Sequence, residues 1–118
     1  MKTALIVDDA TVMRIRLRDI LEPKYQVVAE AADGEEAVRL YEKHNPDFVT
    51  LDITMQKMNG IEALEQIMDK HQDALIVIVS AVGQRKMVFD AISKGAKDFI
   101  IKPFEPERVI AAIDRLFE

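Results

Sequence analysis

Five short apolar, β-branched runs, each followed by a stretch with helical spacing, limit what this chain can fold into more than any other feature. The runs cover residues 4–7, 27–31, 48–51, 75–79 and 99–101. Between and after them, apolar residues recur three and four apart, the period of one helix face. Met13, Leu17, Ile20 and Leu21 share the first stripe, and Ala37, Val38 and Tyr41 the second. Ile61, Leu64, Ile67 and Met68 form the third, and Met87, Val88, Ala91 and Ile92 a weaker fourth. Val109, Ile110, Ile113, Leu116 and Phe117 form the last. Punctuation agrees with this division. Asp33 can cap the second helix with Glu36 as capping-box partner. Asn45-Pro46 ends that helix, and Asn59-Gly60 turns into the third. Gly95 closes the fourth, and Pro106 suits the first turn of the fifth. Strand–helix alternation repeated five times predicts an α/β fold: a doubly wound, five-stranded parallel sheet with helices on both faces. The strands read as continuous apolar runs because both faces are covered. At 118 residues there is room for one domain, spanning 1–118.

Composition narrows function by exclusion. Sixteen basic residues against 21 acidic ones give a net charge of −5. That balance disfavours nucleic acid or an anionic membrane as a direct partner. There is no cysteine, so disulfides, thiolate metal sites and a cysteine nucleophile are excluded together. His44 and His71 are too far apart in sequence for a local metal motif. No apolar run approaches the ~18 residues of a membrane span. Asp8 and Asp9 cut the N-terminal apolar run far short of the ~7–15 residues of a signal sequence. A cytoplasmic protein is the expectation.

Chemistry in open parallel sheets gathers beyond the carboxyl ends of the strands, at the point where strand order reverses. Asp8 and Asp9 follow the first strand, the third ends in Asp52, the fourth ends in Ser80, and Lys102-Pro103 follows the fifth. In the order 2-1-3-4-5, the first and third strands are neighbours. Three carboxylates then share one pocket with a hydroxyl and an ammonium. Singly, each has an ordinary role: a helix cap, a turn residue, a loop hydroxyl, a solvated lysine. Together they are harder to explain that way. Crowded carboxylates repel unless a cation joins them. An oxygen-only donor set that also faces phosphate favours Mg2+.

These residues, in this order, resemble the two-component response regulator receiver domains. The matching stretches are Leu5-Ile6-Val7-Asp8-Asp9, Ala32-Asp33-Gly34-Glu35-Glu36-Ala37, Asp52-Ile53-Thr54-Met55, Met58-Asn59-Gly60 and Gly95-Ala96-Lys97-Asp98-Phe99. With Ser80 and Lys102-Pro103 they span the whole chain. Asp52-Ile53-Thr54-Met55 and Ser80-Ala81-Val82-Gly83-Gln84 bring it nearest to the single-domain chemotaxis members. The resemblance implies the flavodoxin-like fold in the order 2-1-3-4-5. It implies Asp52 as the acceptor of a phosphoryl group from a histidine kinase. Asp9, Asp52 and the backbone carbonyl of Thr54 would be Mg2+ ligands, with Asp8 acting mainly through a metal-bound water. Ser80 and Lys102 would bind phosphoryl oxygens, and Ser80 and Phe99 would be the switch pair. Thr54 and Val82 would tune hydrolysis. The implied protein is a monomer that is not an enzyme on external substrates, though it catalyses its own phosphotransfer and dephosphorylation. Its implied partners are a chemotaxis-type histidine kinase and a flagellar switch protein or other effector. Without the family, Phe99 reads as an ordinary core strand residue. At Gln56 the family often has proline; glutamine restores an N–H and frees φ, which implies a looser loop.

Other readings fit less well. A relay protein or the isolated receiver of a transcription factor would share the same chemistry with another output. An aspartyl phosphatase of the haloacid dehalogenase type needs a second acid two residues after the nucleophile, where this chain has Thr54. A flavin mononucleotide binder needs a hydroxyl- and glycine-rich loop after the first strand, where Asp8 and Asp9 would repel phosphate.

Overall fold

The computed structural model describes every residue except Gln56, so the reading of a looser loop there lies outside the described residues. Ten elements alternate without exception. They are β1 (Thr3–Val7), α1 (Thr11–Leu21), β2 (Gln26–Ala31), α2 (Gly34–His44), β3 (Phe48–Asp52), α3 (Gly60–Lys70), β4 (Ile76–Ala81), α4 (Arg85–Ser93), β5 (Asp98–Lys102) and α5 (Pro106–Leu116). The five strands form one parallel sheet in the order β2-β1-β3-β4-β5. Among the described residues, no helix is long and apolar enough to cross a membrane.

Alternation along each strand sends side chains to opposite faces, and each face meets its own helices. Leu5, Val7, Val49, Leu51, Ile76 and Ile78 pack with Ala37, Tyr41, Leu64, Ile67, Val88 and Ala91, so α2, α3 and α4 cover one face. Ala4, Ile6, Phe48, Val77, Val79 and Ile100 pack with Leu17, Leu21, Val109, Ala112 and Ile113 from α1 and α5 on the other. Burial is near complete on the three inner strands. The outer strands β2 and β5 are largely half-buried, because each lacks a neighbour on one side.

Asp52 ends β3 as the sequence implies, while β4 and β5 each run one residue further than the sequence implies. Asp52, Ala81 and Lys102 are the last residues of β3, β4 and β5, and Ser80 lies within β4. Ladder pairing continues through Asp52↔Val79, Ser80↔Ile101 and Ala81↔Lys102. Apolar patterning stops before the ladder does, because the last rungs carry polar side chains. The caps also redistribute. Asp33 accepts from Glu36 N–H at 2.9 Å, but the Glu36 carboxylate reaches back to Ala32 N–H. The complete capping box instead opens α3, between Asn59 and Glu62. Asn45 ends α2 in the left-handed region, and Pro106 starts α5, both as the sequence implies.

Candidate functional site

Pairing of β1 with β3, with Val7 opposite Leu51, brings Asp8 and Asp9 beside Asp52. One carboxylate oxygen from each of the three lies within 4.8 Å of the others. Asp8 and Asp52 are buried, while Asp9 is exposed. Asp8 is held from several directions. Its N–H donates to Ala31 carbonyl at 3.0 Å, its Oδ1 accepts from Ala10 N–H at 2.9 Å, and Arg14 donates to its carbonyl at 2.6 Å. Arg14 is in turn fixed by Glu30 at 3.2 Å, and Glu30 also pairs with Arg18 at 2.7 Å. Asp8 thus serves the turn into α1 and still faces the acidic cluster with Oδ2.

Lys102, at the end of β5, reaches across β4 to this cluster. Its Nζ lies 2.9 Å from Asp8 Oδ2 and 3.6 Å from Asp52 Oδ1. One ammonium against three carboxylates leaves a net negative pocket. The Asp52 carboxyl is pushed up to about 6, chiefly by burial and then by the neighbouring charge of Asp8, with Asp9 adding to it. Lys102 and a hydrogen bond from the Thr54 backbone pull it the other way. Ser80 is fully buried at the same edge, and among the described residues its Oγ has no hydrogen-bond partner. A buried, unpartnered hydroxyl carries a desolvation cost that an incoming oxygen would relieve. Thr50 Oγ1 is also unpartnered, but it sits further back along β3.

The raised Asp52 pKa has a stability consequence of definite sign. Between the unfolded value near 3.8 and the folded value of about 6, the native state binds the extra proton. Without metal, stability therefore falls as pH rises through about 4 to 6, and the cost persists above that window. Asp52→Asn removes it. The variant is expected to be more stable than the parent near neutral pH by ~1–2 kcal/mol, after allowing for solvent screening at the pocket mouth. Urea unfolding in chelator at acidic and neutral pH checks this. Parallel pH profiles for parent and variant would contradict it.

Two glycines approach the backbone beyond Asp52 closely. A Cβ on Gly60 would lie 2.1 Å from the Asp52 carbonyl oxygen, and Gly60 N–H donates to Ile53 carbonyl at 2.8 Å. A Cβ on Gly34 would lie 2.2 Å from Met58 carbonyl oxygen, to which Gly34 N–H donates at 2.9 Å. Ile53 is thus tied to the start of α3 and Met58 to the start of α2. Across the mouth, the Gln84 carboxamide donates to Thr54 Oγ1 and accepts from Ala81 N–H at 2.7 Å.

Phe99 is not the core strand residue that its apolar run alone suggests. It lies on the outer strand β5, is 37% exposed, and lines a cavity of about 290 Å³ with Val82, Val88 and Phe89. The cavity adjoins Ala81, the residue after Ser80.

The donor set can hold a hard divalent cation. It offers oxygen only, the carboxylates are close enough to share one ion, and mutual repulsion favours a positive charge among them. Known proteins agree with the arrangement. The response regulator receiver domain model matches residues 4–114. Chemotaxis protein CheY of Thermotoga maritima is 51% identical over 116 residues, covering 98% of this chain and 97% of that protein. CheY of Bacillus subtilis is 53% identical over 112 residues, covering 94% and 93%. Among solved structures, a chain of the CheX–CheY–BeF3–Mg2+ complex from Borrelia burgdorferi superimposes with a TM-score of 0.95 at 41% identity. That match covers 99% of this chain and 90% of the other. Sheet order, the acidic cluster at the switch point and these matches together make the chain a member of the response regulator receiver domain family.

Proposed function

We propose that residues 1–118 act as one receiver unit that takes a phosphoryl group from a histidine kinase onto Asp52. The reading rests above all on one observation: Asp52 is buried beside two more carboxylates, faces the Lys102 ammonium at 3.6 Å, and lies at the same sheet edge as the unpartnered Ser80 hydroxyl. Chemotaxis is the favoured pathway because the full-length relatives are named as chemotaxis proteins. The protein works as a cytoplasmic monomer. Its output partner is a flagellar switch protein or another effector, rather than nucleic acid.

A carboxylate is a weak nucleophile, so positioning and charge neutralisation must supply the rate. Asp8, Asp9, Asp52 and the backbone carbonyl of Thr54 would hold Mg2+. When bound, the ion neutralises the acidic cluster and the charge on the phosphoryl oxygens. An Asp52 carboxylate oxygen forms the new bond to phosphorus as the bond to the donor imidazole nitrogen breaks. Lys102 and the Ser80 hydroxyl then bind the transferred oxygens, which gives Ser80 its missing partner. Later attack by water returns Asp52 and inorganic phosphate, so the chain catalyses both its own loading and its own reset.

Signalling follows from packing. Movement of Ser80 toward the phosphoryl group vacates space at the end of β4, and Phe99 turns from its half-exposed position to fill it. The face formed by α4, β5 and α5 changes as a result. Beryllofluoride with Mg2+ should shift amide resonances at Ser80, through α4 and at Phe99, and leave α2 nearly unchanged. Phe99→Ala should still bind the mimic, since Phe99 offers no ligand, but lose most of the response in α4. Shifts confined to residues touching the mimic, or a wild-type α4 response in Phe99→Ala, would overturn the switch. Failure of the parent to bind the mimic at all would overturn the phosphoacceptor reading itself.

A further inference from the structure

Gln84 stands just before α4 and makes two side-chain hydrogen bonds that no local helix-capping need explains. Its Oε1 accepts from Ala81 N–H at 2.7 Å, and its Nε2 donates to Thr54 Oγ1. Ala81 directly follows Ser80, and Thr54 is two residues beyond Asp52. One carboxamide therefore joins the β3–α3 loop to the β4–α4 loop over the mouth of the pocket. Two further observations bear on what this bridge does. The Ser80 hydroxyl is buried without a partner, so the backbone is being held where that hydroxyl is unsatisfied. Gly83, between Ala81 and Gln84, has φ +95° and open space around a Cβ position, so the segment reverses direction there to bring the carboxamide back over the strand end.

We infer that Gln84 is a positioning residue whose carboxamide latches the resting site, fixing Ala81 and thereby holding Ser80 back from the acceptor. This rests on the phosphoacceptor reading and assigns a residue that sets how readily that site closes on a phosphoryl group. Drawing the end of β4 toward an Asp52-bound oxygen pulls the Ala81 N–H away from the Gln84 carboxamide. Closure must exchange the Ala81–Gln84–Thr54 bridge for contacts to the phosphoryl group. Removing the bridge leaves the ligands intact and removes only what opposes closure.

The test compares parent, Gln84→Ala, Thr54→Val and the double variant by titration with beryllofluoride at saturating Mg2+. Gln84→Ala is expected to bind the mimic about 3–10-fold more tightly, the change in equilibrium that one modest hydrogen bond commands. Thr54→Val removes only the Nε2 anchor and keeps the backbone carbonyl, so its effect should be smaller, and the double variant should gain little beyond Gln84→Ala. Amide exchange supplies a second measurement that does not depend on the mimic. In the metal-free parent, Ala81 N–H should be protected, and the protection should fall in Gln84→Ala. Unchanged or weaker mimic binding in Gln84→Ala, or effects that simply add in the double variant, would overturn the latch. Either result would leave the phosphoacceptor reading standing so long as the parent binds the mimic.

Discussion

Saturating Mg2+ is expected to raise the unfolding free energy by about 2.7 kcal/mol at a hundred times its Kd, because the ion binds the folded pocket and has no preformed site in the unfolded chain. For a chain of this length that is a rise of roughly 8–12 °C in midpoint. Three carboxylates with oxygens within 4.8 Å, two of them buried, create the demand for positive charge, and Lys102 meets only part of it. Asp9→Ala should act in opposite directions on the two states. The metal-free protein gains stability as a like charge leaves the cluster, and the response to Mg2+ largely disappears with the lost ligand. Because Asp9 is exposed, its removal leaves no buried group unpaired, so the variant should fold normally. Scanning calorimetry of both proteins in chelator and in Mg2+ checks this. A parent midpoint indifferent to Mg2+ would contradict the metal site.

The same cluster shows how far residue patterns reach. The parallel sheet was legible from the strand–helix alternation, and the convergence of Asp8, Asp9, Asp52, Ser80 and Lys102 followed once the resemblance supplied the order 2-1-3-4-5. Strand limits were less so. Ala81 and Lys102 remain in the ladder one residue beyond the expected ends of their strands, since backbone pairing does not depend on side-chain polarity. Phe99 was misplaced by its own run, where apolarity alone does not distinguish an outer strand from an inner one. The capping box at α3 had a signal, Asn59 followed three residues later by Glu62, which the Asn-Gly turn overshadowed. The close approaches of Gly34 to Met58 and of Gly60 to Asp52 had none, because they depend on backbone spacing set by tertiary packing. The Gln84 bridge likewise joins residues thirty positions apart through a side chain with no distinctive neighbours.

Loss of phosphoryl uptake in Asp52→Asn is the other large effect, and it should be complete. Asp9 is exposed and Asp8 is engaged by Ala10 N–H and Lys102, so neither carboxylate combines the burial, the free oxygen and the central position of Asp52. The amide that replaces it keeps the shape of the side chain and lowers the repulsion in the pocket, so the variant should be folded and at least as stable as the parent. Any loss of labelling then reports the missing nucleophile rather than a damaged fold. The decisive measurement is intact mass after incubation with acetyl phosphate, with and without Mg2+. The parent should gain one phosphoryl group only when Mg2+ is present, and Asp52→Asn should gain none under either condition. Equal labelling of the variant, or labelling of the parent that ignores the metal, would contradict the account at its centre.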